Sequence, residues 1–357
     1  MSDEAAKPTV VVVFNQKGGI GKTTTSVNLA VCLAALGKRV VLLDLDAQSN
    51  ATTSVGLASP AATGAYQLLR GEVDVARACR PTPYPNLRLI AGSDDLSWAD
   101  VEIAVKPDPQ FVLERALAST PDDVDVVVID CAPAFGILSV NATVAADVVL
   151  LPVVPSPLAL DGLHKAWWNI QRVRKHFNRD LETMGILFTM TEDSELMHRL
   201  TEAIMASFGG RVLPVMIPRD MKVIEAAARD LPLVVLDPES PAAAAYLRLA
   251  EVVLARMLPG GASLPETAHE QARAHLTDWR KPRPADDTPA ALPQVHETEP
   301  LAHGPAPEQS WDQELTDTID SYRPGSDLGW KLGVAVMVMA LGAVVGFAFG
   351  RWMYFTG

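Results

Sequence analysis

Short, nearly uninterrupted runs of β-branched and aliphatic residues recur along the first 258 residues of the chain. Such runs are typical of strands that are buried on both faces of a parallel sheet. Segments with helical periodicity separate them, which predicts βαβ units with right-handed crossovers. The pattern therefore predicts an α/β fold with a mainly parallel, doubly wound sheet and helices on both faces. The predicted strands are residues 9–15, 38–46, 87–91, 125–130, a strand ending at 151, 184–190 and 212–217, and the predicted helices are 25–36, 65–70, 111–118, 156–177, 195–208 and 241–257.

The composition changes after residue 258. Residues 259–327 hold ten of the 27 prolines and many acidic side chains but few large apolar groups. Such a segment cannot bury enough surface to offset the entropy lost on ordering, so we predict a disordered, flexible linker with one weak helical patch at 311–322. The chain is thus divided into a domain at 1–258, the linker at 259–327 and a terminal segment at 328–355.

The terminal segment contains 18 uncharged residues, 332–349, with aromatic residues on both sides. This length matches a hydrocarbon core of roughly 30 Å, which predicts one C-terminal transmembrane helix in a lipid bilayer. An amphipathic surface helix and a buried core helix are the alternatives. Gly342, Gly346 and Gly350 fall at four-residue spacing, which indicates either a helix-packing stripe or the glycine enrichment common in membrane helices.

The chain carries a net charge of −13, so it has no overall attraction for nucleic acid and any DNA contact must use a local basic patch. Its three cysteines, Cys32, Cys79 and Cys131, are widely spaced and form no C-x-x-C pair. We expect reduced thiols and no iron–sulfur cluster.

A glycine-rich segment with two lysines lies between the first predicted strand and the first predicted helix, and it reads Lys17-Gly18-Gly19-Ile20-Gly21-Lys22-Thr23-Thr24. Glycines let backbone N–H groups turn inward, where they bind phosphate oxygens together with the positive end of the following helix. Lys22 is expected to reach the outer phosphates and Thr23 to ligate the Mg²⁺ that bridges them. The segment predicts a nucleotide site with Mg²⁺. A glycine turn with two solvated lysines is the alternative.

The nucleotide-binding domain must reach the nucleotide of the cytosol, and this requirement orients the predicted membrane span. Because few residues follow the predicted span, we expect a single-pass, tail-anchored membrane protein with its ATPase domain in the cytoplasm.

Acidic residues end two further strands. Asp44 and Asp46 end the strand at 38–46, and Asp130 ends the strand at 125–130. Open α/β sheets bind ligands at the carboxyl ends of their strands, so these side chains are expected near the phosphates. Asp130 has the Walker B arrangement and would hold the water shell of the magnesium, with Asp44 and Thr23 as further metal candidates. Simple capping of a strand end is the alternative for Asp44 and Asp46.

The run K-G-G-I-G-K-T-T resembles the P-loop of the ParA/MinD-like (Soj-type) ATPases. These proteins are also called deviant Walker A proteins. The general P-loop pattern has a glycine at the position of Gln16, so this chain departs from that pattern in the same way. The resemblance covers residues 9–258. It implies that Lys17 reaches across a nucleotide-sandwich dimer and that Asp46 positions the attacking water. The catalytic candidates are therefore Lys17, Lys22 and Asp46, and the nucleotide-binding candidates are Gly18, Gly19, Ile20, Gly21, Lys22, Thr23, Thr24 and Pro218.

The resemblance implies a switch in which ATP-bound subunits form a homodimer and a partner of ParB type, or a cargo adaptor, stimulates slow hydrolysis. The first hypothesis is a membrane-tethered ParA-type ATPase that partitions or positions a plasmid, a chromosome region or a protein cluster. The second is a membrane-bound regulatory or scaffold protein with little turnover. Ala47 and Ala132 depart from the family pattern and leave that second hypothesis open.

A third hypothesis is nonspecific DNA binding. Arg219 matches the arginine of the family's I-P-R segment, and Lys222 follows it closely. The family's basic S-H-G-K-P segment, however, is replaced by residues 228–232, which read A-R-D-L-P. The most basic stretch, at 165–179, adds Arg172 and Lys175 as candidates, and a solvated helix face is its alternative.

Overall fold

The computed structural model describes residues 7–57, 63–257, 265 and 267–280 of the 357-residue chain. Within these ranges the apolar runs form the strands β1 (Thr9–Val13), β2 (Val40–Leu45), β3 (Cys79–Pro81), β4 (Leu87–Ile90), β5 (Val126–Cys131), β6 (Val148–Val153), β7 (Glu182–Thr191) and β8 (Val212–Pro218). The helices are α1 (Lys22–Ala35), α2 (Asn50–Ser54), α3 (Ala65–Arg70), α4 (Val75–Ala78), α5 (Leu96–Ala104), α6 (Val112–Leu117), α7 (Ile137–Ala145), α8 (Ala159–His176), α9 (Glu195–Phe208), α10 (Lys222–Ala228), α11 (Leu233–Leu236), α12 (Pro241–Met257) and α13 (Ala268–Trp279).

The strands form one sheet in the order β3-β4-β2-β5-β1-β6-β7-β8. Every neighbouring pair is parallel except β3 and β4, which are antiparallel. The mainly parallel α/β sheet is therefore confirmed. The edge strand β3 was not predicted, because it has three residues, one of them a proline, and shows no usable periodicity.

Side chains of successive strand residues alternate between two separate cores, as the pleat of a strand requires. Val11 and Val13 of β1 lie in the core covered by α1, α11, α12 and α13. Val10 and Val12 lie in the core covered by α3 to α9. The sheet thus has helices on both faces, which confirms that it is doubly wound.

Strand order places the acidic residues beside the glycine-rich segment. β5 lies between β1 and β2, with Asp130 opposite Val13 on one side and opposite Asp44 on the other. Because these strands are parallel, their carboxyl ends meet at one edge of the sheet. The loop that follows β1 therefore begins next to both carboxylates.

Helix α13 differs from the prediction of a flexible linker after residue 258. Its Ala272 and Leu276 are buried in the core that covers α1. Its Trp279 ring lies 5.9 Å from the Tyr84 ring, between centroids. The average composition of the predicted linker concealed this short amphipathic segment. Residues 281–327, including the predicted patch at 311–322, lie outside the described residues.

No helix within the described part of the chain has the length and apolar character needed to cross a bilayer. The longest of them, α8, is amphipathic, with a charged and exposed face opposite its buried one. On this finding the predicted membrane location is wrong. The segment at 332–349 and its glycine stripe, from which that location was inferred, lie outside the described residues.

Candidate functional site

The segment between β1 and α1 forms an anion cradle. Gly19 and Gly21 adopt φ values of +68° and +82°, in the left-handed region that favours glycine. Gly21 precedes α1 and offers no side-chain cap to its first turn, which contains no acidic residue. The N–H groups at the start of α1 are therefore available to a bound phosphate.

The two lysines of the segment lie in different environments. Lys22 is 7% exposed, and its Nζ donates a hydrogen bond to the Lys17 carbonyl oxygen at 2.9 Å. Burial lowers the pKa of Lys22, against the opposing effects of Cys131 and Asp130. Lys17 is exposed, and its Nζ lies 3.5 Å from Ser156 Oγ. One ammonium group thus lies inside the loop and the other on its outer surface.

Asp44 and Asp130 are fully buried carboxylates on neighbouring strands. Asp44 Oδ2 accepts hydrogen bonds from the Thr52 backbone N–H at 2.9 Å and from Thr52 Oγ1 at 2.8 Å. Asp130 Oδ1 accepts one from Ser26 Oγ at 2.9 Å. Burial raises the pKa of Asp44 to about 6, and burial together with the charge of Asp44 raises the pKa of Asp130 to about 7. A cation between them would relieve this cost.

The donor set fits magnesium. Asp130 Oδ2 is buried and accepts no hydrogen bond within the described residues. The Thr23 hydroxyl lies near enough to Asp130 to oppose the rise of its pKa. Hard oxygen donors such as these suit Mg²⁺, which keeps several waters and takes its other ligands from phosphates. The described residues contain no cluster of three or more His, Cys, Asp or Glu side chains that could hold a metal.

Asp46 is the first residue after β2 and lies two positions beyond Asp44. Its backbone N–H donates to Asp44 Oδ1 at 3.1 Å, and its own Oδ1 accepts from the Gln48 N–H at 3.0 Å. Its side chain is half-buried. Asp46 therefore lies beside the buried carboxylates and remains accessible from the loop.

Pro218 lines a cavity of about 230 Å³ that also borders Gly21 and Thr24 of the cradle. Met190 and Tyr246 form other parts of its wall. The structure thus brings the predicted nucleotide contact at the end of β8 next to the start of α1.

The four candidate DNA contacts are divided between the two faces of the sheet, because α10 packs into one core and α8 into the other. On the α10 side, Arg219 Nε lies 3.0 Å from Glu192 Oε1, and Lys222 Nζ lies 2.7 Å from Glu225 Oε2. On α8, the Arg172 guanidinium lies 4.7 Å from the centre of the Trp168 ring, and Lys175 is exposed.

Four further residues that support the site were not identified in the sequence. Thr189 Oγ1 donates to the Ile20 carbonyl at 2.9 Å, and Asn15 Nδ2 donates to the Pro152 carbonyl at 2.8 Å. The others are Ser26 and Thr52. Asn15 and Ser26 flank the glycine-rich segment and could have been considered, whereas Thr52 and Thr189 are distant in sequence and carry no local signal.

A glycine cradle between a strand and a helix, a buried lysine and two acid-ended strands define the class of P-loop nucleoside triphosphatases. An AAA domain family model (AAA_31) matches residues 8–183. The sporulation initiation inhibitor protein Soj of Bacillus subtilis is 37% identical over 248 residues, which is 69% of this chain and 98% of that protein. The chromosome partitioning protein ParA of Caulobacter vibrioides is 37% identical over 251 residues, 69% of this chain and 94% of that protein. The chain belongs to the ParA/Soj family of partitioning ATPases.

Solved structures of other proteins share this fold. Cobyrinic acid a,c-diamide synthase from Mycobacterium smegmatis, with bound ADP and magnesium, is 29% identical with a TM-score of 0.63 over 72% of this chain and 98% of its own. The septum site-determining protein MinD from Pyrococcus horikoshii, with Mg-ADP, is 23% identical with a TM-score of 0.60 over 72% of this chain and 100% of its own, and shows the fold alone. Family membership confirms the predicted ATP hydrolase, and the nucleotide and magnesium bound by the 29% identical synthase support ATP and Mg²⁺ as its cofactors.

Proposed function

We propose that this chain is a deviant Walker A ATPase that works as an ATP-dependent dimerisation switch in the partitioning or positioning of a cargo. The observation that carries the proposal is the separation of the two lysines. Lys22 lies inside the cradle, where it can neutralise the phosphates of its own nucleotide. Lys17 is exposed at the surface of the loop, where it is available to phosphates held by a second copy.

The proposed roles follow from charge and position. The cradle N–H groups would bind the phosphates, and Thr23, Asp44 and Asp130 would hold Mg²⁺, which would neutralise charge on the phosphate oxygens. Asp46 positions the attacking water. A cation inserted opposite the phosphates reduces the repulsion between two nucleotide-loaded subunits and stabilises charge in the transition state, so assembly and hydrolysis are coupled.

Lys17→Ala tests the switch. We expect the variant to bind ATP, because its own cradle is intact, but to remain monomeric in size-exclusion chromatography with light scattering in the presence of Mg-ATP. Lys38→Ala is the matched control, since Lys38 precedes β2 at the opposite end of the sheet. An unchanged dimer fraction in Lys17→Ala would refute the sandwich arrangement.

A nucleotide-binding scaffold with little turnover is the second candidate. The replacements Ala47 and Ala132, in the segments after β2 and β5, keep it open. Steady-state hydrolysis, measured with and without DNA and a ParB-type partner or cargo adaptor, separates the two candidates. Turnover that stays at background under all these conditions would favour the scaffold.

Nonspecific, ATP-dependent DNA binding extends the first proposal. Lys165, Arg172 and Lys175 lie along one exposed stripe of α8, with Trp168 between them, and have no acidic partner within the described residues. Arg219 and Lys222 are already paired with glutamates. We therefore assign the larger electrostatic contribution to the α8 stripe and the smaller to Arg219.

A salt titration tests the DNA surface, because each neutralised phosphate contributes roughly −0.9 to the slope of log affinity against log salt. The double variant Arg172→Ala/Lys175→Ala should reduce the magnitude of the slope by roughly 2. Arg219→Glu should lower the affinity for DNA by less than this double variant does. Lys222→Ala is the control for a lysine that already has a partner. A larger effect from Arg219→Glu would move the DNA surface to the α10 face, and the absence of binding at low salt would favour the scaffold.

A further inference from the structure

The connection from β4 to α5 contacts the acidic end of β2. The Gly92 N–H donates to Thr52 Oγ1 at 3.0 Å, and Thr52 Oγ1 donates to Asp44 Oδ2. A Cβ atom at Gly92 would lie 2.9 Å from Asp44 Cγ and 2.9 Å from the Asp46 carbonyl oxygen. The backbone at Gly92 is thus packed directly against Asp44, and any larger residue would displace one of them.

Helix α5, which follows this connection, contacts the segment that follows Asp130. Helix α7 begins after residues 132–136, its Gly136 N-cap has no side-chain hydrogen bond, and its first turn contains no acidic residue. Asp100 of α5 supplies the missing acceptor, because its Oδ1 receives a hydrogen bond from the Leu138 N–H at 3.2 Å. A Cβ atom on Gly136 would lie 3.2 and 3.3 Å from the two Asp100 oxygens, so glycine permits this approach.

The N-terminus of a helix carries partial positive charge and unpaired N–H groups, so a carboxylate there is favourable even from another element. Asp100 and Gly92 belong to one continuous stretch, the connection Gly92–Asp95 and helix α5. A shift of residues 132–136 away from Asp44 would therefore lose either the Asp100–Leu138 hydrogen bond or the Gly92–Thr52 hydrogen bond.

We propose that Asp100 is a positioning residue for ATP hydrolysis, which holds the segment after Asp130 in place relative to Asp44 through helix α5. Asp100 acts through α7 and needs no contact with the nucleotide. The proposal goes beyond the dimerisation switch and rests on the family's ATPase activity alone, so the two are tested by different readouts.

Asp100→Ala in the full-length protein is the first test. We expect kcat to fall about fivefold and the Kd for ATP to change less than about twofold, with the melting temperature lowered by about 2–4 °C, as for a lost helix cap. Glu102→Ala is the matched control on the same helix, because Glu102 accepts from Tyr66 Oη at 2.9 Å instead of contacting α7. Wild-type kcat in Asp100→Ala, or an equal loss in Glu102→Ala, would overturn the proposal.

A double-mutant cycle with Gly136→Ala makes the test specific to this contact. The added methyl group should displace the Asp100 carboxylate and lower kcat in the wild-type background, but it should cause no further loss when Asp100 is alanine. Fully additive losses would show that the two residues act independently and would overturn the proposal. If Asp100→Ala fails to fold, Gly136→Ala alone is compared with wild type, because its added methyl group should displace the Asp100 carboxylate and lower kcat. Wild-type kcat in Gly136→Ala would then overturn the proposal.

Discussion

At the residue scale, the proposed nucleotide site contains one buried ammonium group within the described residues. Lys22 lies within the loop that would surround the phosphates, and no other cationic side chain occupies that loop interior among the described residues. We expect Lys22→Ala to lose about 100-fold or more in ATP affinity, because a hydrogen-bonded charge pair is removed from a partly desolvated site. Isothermal titration calorimetry would measure this loss, with Lys38→Ala as control. Unchanged affinity would contradict the phosphate-loop assignment.

Asp46 should affect turnover and leave binding intact. Its side chain is accessible next to the buried carboxylates, and the proposed role is to position water. We expect Asp46→Ala to bind Mg-ATP with nearly wild-type affinity, to hydrolyse it at least about tenfold more slowly and to accumulate the ATP-bound dimer. Single-turnover hydrolysis and light scattering would measure both effects. Wild-type turnover would return Asp46 to a purely structural role.

The buried carboxylates predict a pH dependence. Because the pKa values of Asp44 and Asp130, about 6 and about 7, exceed those of an unfolded chain, the folded protein binds more protons than the unfolded chain in this interval. The stability contributed by these two groups therefore falls as pH rises from about 4 to about 7. Mg²⁺ requires the charged forms, so Mg-dependent ATP binding should strengthen over the same interval.

Thermal melts of the nucleotide-free protein would measure this effect. As the pH rises across this range, the melting temperature of Asp44→Asn should fall less than that of wild type, because one of the two buried groups no longer titrates. An identical decline in both proteins would show that other groups dominate the pH dependence.

At the scale of elements, the long helices α8, α9 and α12 and the six-residue α3 were predicted, whereas α5 and the shortest pieces were not. Helices α9 and α12 have the predicted bounds, and α8 differs by a few residues at its start. The pieces α2, α4 and α11 have four or five residues, too few for a 3.6-residue period to be visible. Such pieces form because the surrounding elements hold their ends in place.

Helix α13 shows the same effect outside the predicted domain. Leu276 is 2% exposed, and the His275 Nδ1 lies 3.0 Å from the Ala35 carbonyl oxygen at the end of α1. We expect Leu276→Ala to reduce the free energy of unfolding by about 2 kcal/mol, the lower end of the range for a buried leucine because the helix lies at the surface. Urea denaturation would measure this, with the exposed Glu270→Ala as control. A change below about 0.5 kcal/mol would show that α13 docks without contributing stability.

At the scale of the whole molecule, ligand binding and assembly should be separable. A ligand at 100 times its Kd stabilises the folded state by about 2.7 kcal/mol. Mg-ATP should therefore raise the melting temperature of both wild type and Lys17→Ala. Only in wild type should the increase grow with protein concentration, because only wild type forms the proposed dimer. A concentration dependence in Lys17→Ala would contradict the role of that lysine in assembly.

The sequence by itself determined the features that depend on neighbouring residues. The glycine cradle, the two lysines and the acid-ended strands are contiguous patterns, and their chemistry can be recognised without knowing which strands are neighbours. The α/β class followed in the same way, from runs whose length and spacing suit buried parallel strands.

Only the tertiary structure decided which distant residues complete the site. The insertion of β5 between β1 and β2 brings Asp130 opposite Asp44 and lets Ser26 bind it. Thr52, Thr189 and Asp100 act through hydrogen bonds to residues far away in the sequence or on other elements. A hydrogen bond requires donor and acceptor within about 3 Å in a suitable direction, and that condition is set by sheet order and helix packing, which no local pattern contains.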